Sequence, residues 1–306
     1  MRIVSLLSGA TEIVCALGAG DELVGRSHEC DCPAWVRQLP CCTRPAFEVA
    51  LSSREIDAEV RRRLAAGEPL YHVDVARINA LRPDLLIAQA HCEVCAVTPR
   101  DVARSGGEPP GCRSLSLQAG SLAGIMSAVL SVAEAIGRQP AGQRLVAELN
   151  GRIERVRQEV AGHRWPSVAV LEWTDPVFVT GNWGPELIEA AGGTPLLGTA
   201  GEYSRAISWD ELLRADPELL IVAPCGFNLP RALREIPVLE QSPGWFDLRA
   251  VQTRNVFFAD GNLYFNRSGT TVADTAEILA DILHGTRLRA GDSEMIWRRY
   301  EPRRRF

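Results

Sequence analysis

The chain has 306 residues, enough for two domains of ordinary size, and its 46% hydrophobic and 23% charged residues are typical of a globular protein. A net charge of -5 excludes the basic surface that holds nucleic acid or an anionic membrane. All 33 basic residues are arginine, which excludes mechanisms that need a lysine Schiff base or a phosphate-binding lysine.

The first elements begin at the amino terminus of the chain. The apolar run 2–7 predicts a buried strand, and the apolar residues of 12–17 recur at helical spacing. Ser8 or Thr11 is the expected N-cap of that helix, and Gly18 is its expected stop. The sequence shows neither a secretory signal pattern nor an apolar run long enough to span a membrane, so we expect a cytoplasmic protein. The alternative is a periplasmic protein whose export signal precedes the given sequence.

Short apolar runs alternate with helical segments in both halves of the chain. Residues 23–25 and 85–88 predict further buried strands. The same plan restarts with a strand at 168–173, a second strand at 177–180 and a helix at 185–191. This alternation predicts the α/β class, with parallel sheets covered by helices.

Two near-copies of one strand motif mark the two halves. Residues 81–88 and 215–222 share an apolar run that follows a proline, and these prolines, Pro83 and Pro217, are 134 residues apart. Only the short strand segments match, so the pattern predicts two lobes of similar topology rather than a repeat array.

Helical segments lie between the two lobes. Residues 121–137 are apolar at helical spacing, and residues 141–161 predict a helix about 30 Å long that would join the lobes and permit only modest hinge motion. We expect the arginine-rich tail to be a solvated end, with docking onto an acidic partner as the alternative. The expected division is an N-terminal α/β lobe at 1–119, a helical segment at 120–164, a C-terminal α/β lobe at 165–285 and the tail at 286–306.

Cysteine and histidine side chains follow three of the predicted strands. The candidate metal ligands in these loops are Cys30, Cys92, Cys95, Cys225, His28 and His91. Ligands bind at the carboxyl ends of parallel strands, so two facing lobes would direct these groups into one cleft. Thiolates bind soft and borderline metals, which allows zinc, an iron-sulfur cluster or the metal of a bound chelate. Packing of the cysteines and a redox pair are the alternatives.

Aromatic and polar side chains in the second half form another candidate site. Tryptophan and tyrosine offer flat apolar faces with a polar group, which suits a large planar ligand, although a single tryptophan is as compatible with the core. The chain lacks the sequence motifs of common nucleophile, phosphate-binding and zinc-protease sites, so we expect no enzymatic activity. The candidate ligand-binding residues are Trp173, Asn182, Trp183, Tyr264, Asn266 and Arg267.

Three segments resemble the class III substrate-binding proteins, which bind cobalamin, heme and ferric siderophores for uptake transporters. These segments are 2–18, 81–87 and 217–221, and the resemblance covers roughly residues 1–285. It implies two Rossmann-like lobes with parallel sheets, joined by one long α-helix, with the ligand in a cleft between the lobes.

Six shorter segments resemble a branch of this family that has no export signal and is labelled cobalamin-binding protein. The resemblance implies that the chain binds cobalamin or a related metal chelate and that an ABC transporter permease is a partner. The flat faces of Trp173, Trp183 and Tyr264 would then stack on the ligand. The alternative is a cytoplasmic metalloprotein with its own zinc or iron-sulfur centre and a redox, sensing or unknown enzymatic role. The segments are 27–31, 89–97, 172–173, 181–183, 223–227 and 260–267.

Overall fold

The chain separates into two compact units. The computed structural model describes residues 1–90, 94, 96–289 and 293–302. One unit consists of Met1–Leu149 with Ser268–Thr270, and the other of Asn150–Arg267 with Thr271–Phe306. The division falls inside the helix that the sequence predicts as the link between the lobes.

The first unit is built on a parallel sheet of four strands in the order β2-β1-β5-β6. A separate antiparallel pair, β3 and β4, lies in the same unit. Apolar side chains of the central strands, such as Val4 and Leu86, are buried in the core. The strands are β1 (Ile3–Ser5), β2 (Leu23–Arg26), β3 (Thr43–Pro45), β4 (Tyr71–Val73), β5 (Leu85–Gln89) and β6 (Arg113–Leu117).

Helices connect these strands. They are α1 (Ser8–Ala16), α2 (Ser53–Ala66), α3 (Val75–Leu81), α4 (Pro99–Arg104) and α5 (Leu122–Ala135). The predicted N-cap of α1 is wrong: Leu7 occupies that position, and the Thr11 hydroxyl lies within the helix, 3.3 Å from the Leu7 carbonyl oxygen. The predicted stop is confirmed, since Gly18 has a φ of 73° just after the helix end.

The long helix predicted at 141–161 is present as α6 (Gln139–Glu159), which has 21 residues. Its close packing on α5 depends on Gly142, because a Cβ there would run into the Ala133 side chain. Arg152 near its middle donates two hydrogen bonds to the Glu277 carboxylate, at 2.9 and 2.7 Å. The first half of α6 therefore packs on α5, and its second half is hydrogen-bonded to the helix that carries Glu277.

The second unit has a larger, mixed sheet whose main strand order is β10-β8-β7-β11-β12-β13, with β9 paired to β7. β7, β11 and β12 are parallel, while β8, β10 and β13 are antiparallel to their neighbours. The strands are β7 (Ser167–Thr174), β8 (Val177–Val179), β9 (Thr194–Pro195), β10 (Arg205–Ala206), β11 (Leu219–Val222), β12 (Val256–Ala259) and β13 (Trp297–Arg299).

Six further α-helices lie in the described residues of the second unit, and a π-helical turn, Gly261–Phe265, follows β12. The helices are α7 (Gly184–Ala190), α8 (Trp209–Ala215), α9 (Leu229–Ala232), α10 (Ile236–Glu240), α11 (Arg249–Gln252) and α12 (Val272–His284). The predicted α/β class with parallel sheets is confirmed. No helix in the described part of the chain is both long enough and apolar enough to cross a membrane.

The strand repeat seen in the sequence is also a repeat of local structure. α3 and α8 each have seven residues, and each ends in a residue in the left-handed conformation, Arg82 with φ 45° and Asp216 with φ 40°. A proline and then a buried strand follow in both cases. The same helix, turn and strand unit therefore occurs once in each half of the chain.

The arginine-rich tail is not a solvated end over the residues that the structure describes. β13 pairs with β12, and the side chains of Ile296 and Tyr300 are buried. The Tyr300 hydroxyl donates a hydrogen bond to Glu240 Oε1 at 2.6 Å. The prediction of a solvated tail was wrong because the buried residues are interspersed among the arginines.

Candidate functional site

The carboxyl ends of β7 and β11 bring two aromatic rings together in the second unit. The Trp173 ring, near the end of β7, lies 5.1 Å from the Phe227 ring at an angle of 52°. The Arg231 guanidinium lies 4.5 Å from the centre of the Phe227 ring. A cation over an aromatic face at this distance is an attractive contact, so the three side chains form one aromatic surface at this edge.

Asn266 joins the loop after β11 to the π-helical turn. Its Nδ2 donates to the carbonyl oxygens of Ala223 and Gly261, at 2.8 and 2.9 Å. Its Oδ1 is buried and has no hydrogen-bond partner among the described residues. A Cβ at position 261 would run into the Ala223 and Pro224 carbonyls, so a glycine is required for this close approach.

Tyr264 and Arg267, also predicted as ligand-binding residues, are buried at 8% and 3% exposure. Arg267 donates to the backbone and side-chain oxygens of Asn262, at 3.0 and 3.2 Å. The Arg289 guanidinium donates to the Tyr264 hydroxyl at 3.0 Å and lies 5.1 Å from the ring centre. In this conformation the two residues stabilise the turn that follows β12.

Asn182 and Trp183 occupy a different part of the second unit. They follow β8, which runs antiparallel to β7, and the Thr180 amide donates to the Val170 carbonyl at 3.0 Å. The segment therefore leaves the sheet beside the middle of β7, not at its carboxyl end. Asn182 has a φ of 52°, and Trp183 is 8% exposed with a buried Nε1 that has no partner among the described residues.

The two described candidate cysteines have different environments. Cys225 is half-buried in the loop after β11, and its backbone amide donates to the Glu172 carbonyl at 2.9 Å. Cys30 is fully buried, its sulfur 3.0 Å from the Thr11 hydroxyl and 3.7 Å from the Ser5 carbonyl oxygen. A metal at Cys30 would have to replace these contacts.

His28 lies just past β2 at the carboxyl edge of the first sheet, and its side chain is 20% exposed. Its Nδ1 lies 2.7 Å from the Thr43 hydroxyl oxygen, and its ring centre lies 5.5 Å from that of Tyr71. Burial, followed by the charge of Arg26, lowers the pKa of His28 to about 4. The imidazole is therefore neutral at neutral pH.

Thr43 contacts both the backbone and the ring of His28. Its Oγ1 accepts from the His28 backbone amide at 3.0 Å and lies 2.7 Å from Nδ1 and 3.2 Å from Ser27 Oγ. A neutral imidazole carries a lone pair on one of its two ring nitrogens. The Glu29 carboxylate stays 4.0 Å away from Nε2, measured to Oε1. A fixed, neutral imidazole of this kind is suited to binding a metal.

The remaining predicted ligands, His91, Cys92 and Cys95, lie outside the described residues. Among the residues that are described, no group of three or more histidine, cysteine, aspartate or glutamate side chains is placed to hold a metal ion. The zinc or iron-sulfur centre therefore stays a prediction.

The sequence matches a known family over most of its length. A model of the periplasmic binding protein family matches residues 3–263. The chain belongs to this family. No curated protein matches it in sequence.

Solved structures of this family share its fold. A periplasmic heme binding protein from Pseudomonas aeruginosa is 21% identical, with 93% of each chain covered and a TM-score of 0.71. The periplasmic vitamin B12 binding protein BtuF of Vibrio cholerae is 20% identical, with 92% of this chain and 96% of that chain covered and a TM-score of 0.65. The periplasmic heme-binding protein RhuT from Roseiflexus is 24% identical, with 93% and 98% covered and a TM-score of 0.66.

Sequence reasoning missed several residues at the carboxyl edges of this family member. Phe227 follows Cys225 by two positions, and an aromatic side chain so close to a candidate ligand was a usable signal. Thr43 gave no such signal, because the contact with His28 depends on a bridge between Arg26 and Cys41 that brings two distant segments side by side. Tyr71 comes from β4 and was missed for the same reason.

Proposed function

We propose that this member of the periplasmic binding protein family binds a cobalamin-type corrinoid, with His28 as a ligand to the cobalt. The observation that carries the proposal is the neutral, hydrogen-bonded imidazole at the carboxyl edge of the first sheet, 2.7 Å from Thr43. An imidazole nitrogen is a good donor to cobalt or iron, and the Thr43 contact would hold the ring in one orientation during binding.

The aromatic surface of the second unit supports the same class of ligand. Trp173 and Phe227 would contact the apolar face of a planar macrocycle, as aromatic side chains do in other ligand sites. Asn266, Tyr264 and Arg267 would hold the loop after β12 in position.

One line of similarity favours a corrinoid over other chelates, since the segments around His28 and Trp173 resemble the branch labelled cobalamin-binding protein. One structural relative is a vitamin B12 binding protein. Heme is the main competing ligand, since the relatives from Pseudomonas aeruginosa and Roseiflexus are heme-binding proteins. The proposal commits to the corrinoid and leaves heme as an outcome of the test.

An absorbance titration with aquacobalamin tests the proposal. Replacement of the cobalt-bound water by imidazole shifts the corrin bands, so we expect a saturable shift for the unaltered protein. His28→Ala should abolish the shift and weaken binding by about ten-fold or more, equivalent to about 1.4 kcal/mol. His72→Ala is the matched control, because this histidine is exposed on β4 of the same unit. Saturable binding of heme without binding of aquacobalamin would overturn the choice of ligand, and binding of neither would overturn the proposal.

The proposed function also includes a partner and a compartment. An ABC transporter permease would receive the ligand, because a structural relative from Listeria monocytogenes, 18% identical with a TM-score of 0.70, is an ABC transporter substrate-binding protein. The predicted location is the cytoplasm. Fractionation of the producing cells, followed by detection of the protein with an antibody, would show the compartment.

A further inference from the structure

A cavity of about 550 Å³ opens at the amino edge of the second sheet. Pro166 lies just before β7, Leu219 begins β11 and Asn255 lies just before β12, so the cavity is at the edge opposite to Trp173 and Phe227. Its volume is within the range of small-molecule sites. It is therefore separate from the residues of the proposed corrinoid site.

Two arginines on one side of the cavity share a single carboxylate. Arg164 and Arg249 both pair with Glu218 Oε1, and the Ser167 amide donates to Glu218 Oε2 at 3.0 Å. The two arginine side chains are 73% and 54% exposed. One carboxylate cannot neutralise two guanidinium groups, so this side keeps a surplus positive charge that solvent molecules can reach.

A third arginine lies on the edge strand β13. The Arg299 guanidinium lies 5.1 Å from the centre of the Phe257 ring, and the Trp297 ring packs against the same ring at 5.5 Å. No carboxylate forms an ion pair with Arg299 in the described parts of the chain. The cavity thus combines an unneutralised cation with a partly exposed indole.

Two other titratable groups line the cavity. Asp281 Oδ1 accepts from the Thr286 hydroxyl at 2.6 Å and from the Leu288 amide at 3.0 Å, so that carboxylate oxygen is already engaged. His284 Nε2 lies 2.9 Å from the Ala191 carbonyl oxygen. With three arginines against two carboxylates, the lining favours an anion.

We propose that this cavity is a second ligand site, which binds a planar aromatic carboxylate. The aromatic ring would pack on Trp297, and the carboxylate would accept hydrogen bonds from Arg299, with the surplus charge of Arg164 and Arg249 beside it. A guanidinium group matches a carboxylate geometrically and can donate two parallel hydrogen bonds to it. Arg299 and Trp297 belong to the arginine-rich tail, which has no role in the proposed corrinoid site.

Calorimetric titration of the full chain with 2-naphthoate tests this site. Saturable binding is expected for 2-naphthoate, with affinity at least about ten-fold weaker for 2-naphthylmethanol, which has the ring without the charge, and for acetate, which has the charge without the ring. Arg299→Gln should weaken 2-naphthoate binding about ten-fold. Arg298→Gln is the matched control, because alternate residues of a strand point to opposite faces.

Two further variants test the cavity independently of Arg299 and of the proposed corrinoid site. Arg164→Gln provides a second, exposed substitution in the cavity if Arg299→Gln lowers the melting temperature. His28→Ala should leave 2-naphthoate binding unchanged, which separates this site from the corrinoid proposal. The absence of saturable binding to the unaltered protein, equal affinity for 2-naphthylmethanol, or equal effects of Arg298→Gln and Arg299→Gln would each overturn the proposal.

Discussion

His28 is buried deeply enough to change its protonation, and this makes folding depend on pH. Its pKa falls from 6.5 to about 4 because burial disfavours the charged imidazole. Between these values the unfolded chain binds a proton that the folded chain does not. The free energy of unfolding contributed by His28 therefore falls as the pH falls from 6.5 towards 4.

We expect His28→Gln to reduce this acid sensitivity in the ligand-free protein. The variant should lose less stability than the unaltered protein between pH 6.5 and pH 4, by at most about 3 kcal/mol, since one pKa unit corresponds to about 1.4 kcal/mol. Urea denaturation at several pH values measures the difference. His72→Gln, at an exposed position, is the control, and identical pH profiles for His28→Gln and the unaltered protein would contradict the expectation.

Individual side chains were only partly predictable from the sequence. The sequence showed that His28 follows a strand. Its protonation state could be inferred only from its burial and from the position of Arg26, both of which depend on the tertiary structure. Cys30, two residues further, looked like a loop thiol and is instead fully buried against Thr11. A strand-then-loop pattern shows where a residue lies along the chain, but it does not show whether the loop folds back over the sheet.

At the scale of elements, the packing of residues 268–270 on α1 depends on a single glycine. A Cβ on Gly9 would run into the Ser268 carbonyl. We expect Gly9→Ala to lower the free energy of unfolding by about 1–3 kcal/mol, because backbone atoms must move.

Gly151→Ala is the matched control for this prediction. Gly151 lies in α6 with nothing near its Cβ position, so alanine should raise stability by up to about 1 kcal/mol through its better helix propensity. Thermal and urea denaturation of both variants measure the effects. Stabilisation by both substitutions would show that residues 268–270 can shift away from α1 at no cost.

Elements were the most predictable part of this molecule. Apolar runs and helical periodicity located β5, β7, α6 and α7 to within about two residues, because burial on a sheet and on a helix face impose different spacings. The predicted N-cap of α1 was wrong because the Thr11 hydroxyl lies inside the helix and contacts Ser5 and Cys30. β3, β4 and β13 were missed, since their short segments carry no continuous apolar run.

At the scale of the whole molecule, the second unit includes residues close to the end of the chain. β13 covers the outer edge of β12, and Ile296 and Tyr300 are buried beside it. We expect removal of residues 296–306 to lower the free energy of unfolding by about 3–6 kcal/mol, at about 1.5–3 kcal/mol for each buried side chain.

Differential scanning calorimetry of the truncated chain measures this loss. The full-length Arg298→Gln variant is the control, because it removes one exposed charge of the tail and keeps the strand. An unchanged melting temperature after truncation would show that β13 contributes nothing to the second unit.

Local patterns in the sequence established the α/β class, the repeated strand motif, the long α6 and the family resemblance. These features follow from local patterns, namely apolar spacing and the turn residues before a strand. The tertiary structure decided which side chains meet: Trp173 with Phe227, His28 with Thr43, and Trp297 with Phe257 beside Arg299. Each pair comes from segments far apart in the chain, and only strand pairing and burial bring such segments together.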